Sequence, residues 1–189
     1  AKKMERQLLR EFSLFEFGDI KPSTSSDGLM KLEGIIQRAN VKNCNNRIYP
    51  KTILVRENDK YQELIKDRRS LGCLDHPESS VVELSEVSHV ITSTTWKGDD
   101  LIGEIEVLDT PKGLIASKLI ERNIKLGISS RALGSTKRNS NGVDIVQEDL
   151  SLVAWDLVSS PSTVGAYLSP TIKESRDYKI LTESNKLIL

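Results

Sequence analysis

The stretch Leu126-Gly127-Ile128-Ser129-Ser130-Arg131-Ala132-Leu133-Gly134-Ser135 sets two adjacent serines and an arginine between glycines 127 and 134. Its apolar and small residues read as a strand over 127–135. The glycines permit close backbone approach or a bulge. In an extended segment neighbouring side chains point to opposite faces, so Ser129 and Ser130 cannot share one. Alone, a Gly-x-Ser is commoner in a plain turn between strands than at a reactive hydroxyl. Its meaning depends on the rest of the chain.

Outward from this strand, Thr136–Gly142 reads as a polar turn, followed by strands over Val143–Glu148 and Leu150–Ser159. On the N-terminal side, Thr110 is a natural N-cap with Pro111 at the first helical position, which predicts a helix to about Ile124. Glu86–Trp96 and Leu101–Leu108 alternate about Lys97-Gly98-Asp99-Asp100, a hairpin pattern. Leu71–Leu74 is a short strand. Pro50 starts a second helix that runs to about Asp67. Leu29–Ala39 is a strand, and Asn40–Tyr49, with four asparagines, is turn-rich. Residues 1–17 carry apolar residues at both helical and alternate spacings and leave the element open. Lys21–Gly28 is a polar loop, and beyond Pro161 the chain turns polar and irregular. The pattern predicts a mainly β protein with surrounding helices (α+β): a barrel-like or sandwich sheet, mostly antiparallel. A single domain over 1–170 is expected, with its first 28 or so residues peripheral and a flexible tail over 171–189.

The 189 residues carry 27 basic and 27 acidic side chains, so no net field favours nucleic acid or an anionic membrane. No apolar run approaches the length of a bilayer span, and the charged start has no secretory core behind it. Two cysteines, Cys44 and Cys73, make no disulfide framework and point to a reducing compartment. No metal and no cofactor are expected. Cys73-x-x-His76 with Cys44 falls short of a zinc set, and the phosphate-binding glycine loops are absent.

With two histidines, any imidazole base is His76 or His89. His89 lies within a strand and reads as a histidine on a sheet face. His76 ends a short apolar strand, and Pro77 keeps it out of the helical region. It is either a surface-turn histidine or a general base. Asp156 sits in the apolar run Leu152–Val158. It either faces solvent from an alternating strand or is buried with a partner such as a histidine N–H. Cys73 as a nucleophile is a weaker candidate, because a buried cysteine is usually packing.

Five stretches in one order, covering about residues 30–170, resemble the prohead (procapsid maturation) serine proteases of T-even-like tailed phages. They are Asn46-Arg47-Ile48-Tyr49-Pro50, Leu71–Pro77, Trp96–Asp100, Gly127–Ser135, and Asp156 followed by Ser160-Pro161-Ser162. That family looks related to the herpesvirus assembly proteases. The resemblance implies a small, mostly antiparallel β-barrel of the herpesvirus-protease type.

It further implies Ser129 as nucleophile, with Ser130 as runner-up, His76 as base and Asp156 where the herpesvirus relatives place a second histidine. Arg131 and Gly165 are the candidates for oxyanion stabilisation or water ordering. Implied substrates are phage scaffold (core) proteins and capsid propeptides, cut in the host cytoplasm inside the immature head. A homo-oligomer is compatible with this reading; nucleic acid and membrane are not partners. The family's preference is glutamate before the cut, Leu or Ile two residues earlier, and a small residue after. Leu or Ile stands two before Glu11, Glu16, Glu86, Glu104, Glu121, Glu174 and Glu183. Only Glu174–Ser175 and Glu183–Ser184 are followed by a small residue, so autocleavage is expected in the tail. The competing class is a non-enzymatic shell or tube protein with a related barrel.

Overall fold

The computed structural model describes residues 5–11, 23–24, 28, 30–124 and 126–159. Its strands are β1 (Gln7–Arg10), β2 (Ser23–Thr24), β3 (Met30–Arg38), β4 (Arg47–Ile48), β5 (Leu71–Cys73), β6 (Val87–Lys97), β7 (Asp100–Val107), β8 (Leu126–Gly134), β9 (Thr136–Arg138), β10 (Asp144–Val146) and β11 (Ser151–Ser159). Two helices interrupt them, α1 (Lys51–Lys66) and α2 (Pro111–Glu121).

The strands form three sheets, ordered β1-β8-β11, β4-β10-β9 and β2-β3-β7-β6-β5. Among the described strands all pairings are antiparallel except β4 with β10. The mainly β, α+β expectation therefore holds. Among the described residues the sheets do not close into one barrel. The sheets of β5 and β11 meet at a parallel bridge, Leu74 with Leu157.

Each helix follows from local chemistry. Thr110 accepts from the Gly113 N–H at 3.0 Å, and Pro111 starts α2 as expected. Pro50 is the N-cap of α1 rather than its first residue, and the Asn40 side chain accepts from Lys51 N at 3.1 Å. The buried face of α1 is Ile53, Leu54, Glu57, Asn58 and Tyr61, the spacing of one helical stripe. The hairpin of β6 and β7 turns at Gly98, whose φ of +62° suits glycine.

The larger core cluster gathers Ile91, Leu126, Ile128, Trp155 and Leu157 under Tyr61, whose ring meets Trp155 edge-on at 4.8 Å. A second cluster joins Leu9 to Tyr49, Ile53, Ala132 and Leu150. Leu9 belongs to the segment expected to be peripheral, yet it is fully buried against β8. Thr136–Arg138, expected as part of a turn, instead pairs with β10, a hairpin one step tighter than the polar composition implied.

Candidate active site

Strand β8 is covered on both faces, and every residue from Leu126 to Ala132 is buried. In its register with β11, Ser129 lies opposite Asp156 and Ser130 opposite Trp155. Residues directly opposite share a face. Ile128 and Trp155 belong to the apolar cluster, so Ser130 faces the core. Ser129 takes the other face with Asp156 and Arg131. Neither serine hydroxyl has a hydrogen-bond partner among the described residues.

His76 arrives from a different sheet. Beyond β5, Asp75 adopts φ +63° and donates its N–H to Leu157 O at 2.6 Å. This seats the next residue beside β11, where His76 Nδ1 stands 2.7 Å from Asp156 Oδ2. Both side chains are fully buried. Asp156 accepts further from Cys73 N at 2.9 Å, from Arg131 Nε at 2.8 Å and from Arg131 Nη2 at 3.2 Å. Burial alone would push its carboxyl up. The hydrogen bonds and charges of His76 and Arg131 outweigh that and hold it below the usual carboxylate range.

Arg131 Nη1 donates to the backbone carbonyls of Ser79 (2.6 Å) and Val81 (3.0 Å). The guanidinium therefore ties the segment after His76-Pro77 to Asp156. Its donors are spent on this framework, which suits a positioning residue better than an oxyanion donor. Gly165, the other oxyanion candidate, lies outside the described residues, as do Glu174, Ser175, Glu183 and Ser184.

The other sequence candidates separate cleanly. His89 is buried in β6, with Nδ1 2.8 Å from Ser88 Oγ and Nε2 2.9 Å from Trp155 O. A Cβ at Gly72 would come within 2.2 Å of His89 Nε2, so the glycine makes room for this ring. Burial lowers the His89 pKa to about 4, against the Trp155 carbonyl and Asp156, which raise it. Cys73 is pushed up to about 11, by burial first and by Asp156 second, and stays a thiol. Cys44 is exposed, and among the described residues no cluster of His, Cys, Asp or Glu could hold a metal ion.

Sequence reasoning missed the N-terminal strand. β1 lies antiparallel along the edge of β8, with Leu9 opposite Ala132 and Arg10 opposite Arg131. Glu11 continues the pairing, its N–H on Ser130 O at 2.8 Å. The Glu11 carbonyl accepts from His76 Nε2 at 2.8 Å. The Glu11 carboxylate, 2% exposed, is enclosed by four donors. Oε2 receives Asn43 Nδ2 (2.7 Å) and Asn45 Nδ2; Oε1 receives Tyr49 OH (2.7 Å) and Arg47 Nη1. Burial opposes the charge on Glu11, but Arg47 and the hydrogen bonds lower its pKa overall.

The asparagine-rich turn builds that enclosure. Asn40 and Asn46 take left-handed φ values of 61°, and Asn43 Oδ1 accepts from the N–H groups of Asn45 and Arg47. The available signal was Asn46–Pro50, one of the five resembling stretches, next to a dense run of asparagines.

A buried histidine–aspartate pair beside a strand serine is the outfit of a serine hydrolase. The family described as prohead core protein serine protease matches residues 18–177, and the chain belongs to it. It is thus a serine protease of the kind that acts in phage capsid maturation. It is 34% identical over 145 residues to the prohead core protein protease of Enterobacteria phage T4, covering 74% of this chain and 68% of that one. The solved structure of the bacteriophage T4 capsid assembly protease superposes with a TM-score of 0.72 at 32% identity, covering 82% of this chain and 99% of that one. The non-enzymatic shell or tube reading gives way to this membership.

Proposed function

We propose that Ser129 is the nucleophile, His76 the general base and Asp156 the residue that orients it. The observation that carries this is the His76 Nδ1–Asp156 Oδ2 contact at 2.7 Å, with Ser129 opposite Asp156 on the same face. Ser129 Oγ attacks the carbonyl carbon of the scissile bond while His76 Nε2 takes its proton. The tetrahedral intermediate collapses to an acyl-enzyme as His76 passes that proton to the departing amine. A water, activated by the same nitrogen, then releases the new carboxylate. Arg131 keeps Asp156 ionised and in place throughout.

The names of the relatives support phage core and capsid proteins as substrates and the interior of an immature head as the place of action. A cut after glutamate in (Leu/Ile)-x-Glu, and trimming of the chain's own tail at Glu174–Ser175 and Glu183–Ser184, belong to the same reading. So does a fold shared with herpesvirus assembly proteases. The test is incubation of the phage's core protein with wild type and with Ser129→Ala. Fragments ending in glutamate from wild type alone support the reading. Equal fragmentation by both proteins overturns Ser129.

A further inference from the structure

Among the described residues, strand β8, which carries Ser129, has one neighbour on each side, β11 and β1. A peptide presented to Ser129 as an added strand must therefore take the place of β1. What β1 does there is informative. Its backbone pairs in antiparallel register, its Leu9 is buried, and its Glu11 carbonyl rests on the base. This is strand addition of the kind that extended peptides use, with main-chain bonds for affinity and pockets for alternate side chains. Leu9 and Glu11, two residues apart, point into those pockets on one side of the strand.

We propose that β1 holds the position of a substrate, and that Asn43, Asn45, Arg47 and Tyr49 are the specificity residues for the glutamate before the cut. The assignment rests on the proteolytic reading above and adds to it the recognition site. The chemistry of the enclosure is one-sided. All four groups around the carboxylate donate, two to each oxygen. A glutamine would turn an NH2 against two donors, leaving them buried and unpaired. An aspartate would fall a methylene short. The pocket is also pre-built, because Asn43 holds the backbone of Asn45 and Arg47 by its own side-chain oxygen. A site made to satisfy polar groups rejects an analogue that leaves them unpaired far more strongly than an apolar pocket rejects a methylene.

The test uses the full chain carrying Ser129→Ala, which removes turnover, together with Leu9→Ser and Glu11→Ala, which release the arm. Two fluorescent peptides serve as probes, one copying Gln7-Leu8-Leu9-Arg10-Glu11 with a free C-terminus, the other ending in glutamine. The glutamate probe is expected to bind at least about 50-fold tighter than the glutamine probe, a ratio of the order set by charged hydrogen bonds. Adding Tyr49→Phe, which keeps the ring, should cut the ratio about 10-fold, and Arg47→Met should bring it near one. Equal binding of the two probes, or a ratio untouched by Tyr49→Phe, overturns the assignment. If the released chain does not fold, competition is read instead on Ser129→Ala with Glu11→Gln alone. There the glutamate probe must still displace the arm where the glutamine probe does not, and failure to do so counts against the pocket. Binding is measured without catalysis, so an error in the choice of nucleophile leaves this result unaffected.

Discussion

His76 donates from Nε2 to the Glu11 carbonyl at 2.8 Å while its Nδ1 meets Asp156 at 2.7 Å. Both partners are acceptors: a backbone carbonyl, and a carboxylate that also accepts from Arg131 and the Cys73 N–H. With Nε2 engaged by the Glu11 carbonyl, the Ser129 hydroxyl makes no bond to the ring here. The docked arm thus both fills the strand position and occupies the base. Leu9→Ser, which loosens the arm, should therefore raise the rate at which added core protein is cleaved. An unchanged rate in a folded Leu9→Ser chain would contradict this.

The two serines should part in both activity and stability. Ser129→Ala is expected to lower turnover of core protein at least about 10³-fold, the scale for losing a triad nucleophile. Ser130→Ala removes a core-facing hydroxyl with no partner among the described residues, so it should be neutral or stabilising by up to about 1 kcal/mol. Parallel urea unfolding and cleavage assays separate the two. Loss of activity from Ser130→Ala alone would move the nucleophile by one residue.

How far the sequence could lead is plain at these positions. The β8 strand, the β11 strand, the capped start of α2 and the His76-Pro77 strand end were legible because pattern, cap and turn chemistry are local. Asp156 was left between solvent and burial because alternation alone does not say which face is covered; α-helical and strand neighbours cover both. β1 was not legible, because four residues amid mixed spacings carry no period of their own and are fixed by pairing with β8, over a hundred residues on. Glu11 stood among the Leu-x-Glu matches, and the requirement for a small following residue set it aside in favour of Glu174 and Glu183. The glutamate enclosure joins Glu11 to residues 43–49 across the fold, and no spacing in the chain announces that.

Arg131 should matter through Asp156. Arg131→Met leaves a buried carboxylate without its two-pronged partner, a change expected to destabilise the fold by about 3 kcal/mol or more. Arg131→Lys keeps the charge but loses the planar fork and the reach to Ser79 and Val81. Its loss in denaturant unfolding should be smaller, while its cleavage rate should still fall as the His76 loop loosens. Wild-type stability in Arg131→Met would remove the positioning role.

Acid sensitivity should trace to His89. The folded ring stays neutral down to about pH 4, whereas an unfolded histidine protonates near 6.5. Between those values the unfolded chain binds the extra proton, so stability present above 6.5 is lost as pH falls. From pH 7 to pH 5 that amounts to about 2 kcal/mol, at 1.36 kcal/mol per pH unit. Glu11 and Asp156 are lowered in the fold, so their contributions are lost only as pH drops below the ordinary carboxylate range near 4. Urea unfolding at both pH values should show a shallower pH dependence for His89→Gln than for wild type. Identical slopes would assign the sensitivity elsewhere.

The last expectation concerns which bond the chain cuts in itself. Glu174–Ser175 and Glu183–Ser184 match the family preference on both sides of the bond, but they owe their candidacy to sequence alone. Glu11 has the mismatched Phe12 after it, yet its carboxylate fills a four-donor pocket, its leucine two residues earlier is buried, and its carbonyl touches His76. Geometry on the glutamate side outweighs a small-residue preference on the other, because the pocket contacts are charged and buried while the far side contributes one side chain. Wild type is therefore expected to lose residues 1–11 first, each arm cut by a second copy whose own arm has left its His76, exposing the β8 edge, with tail cuts following. Intact-mass spectrometry over time should show a species starting at Phe12 before any ending at Glu174 or Glu183. None should form from Ser129→Ala, and Glu11→Gln should slow the first cut about 10-fold or more. Tail products from a chain whose N-terminus stays whole would mean that β1 is a plug that must be displaced and is never cleaved.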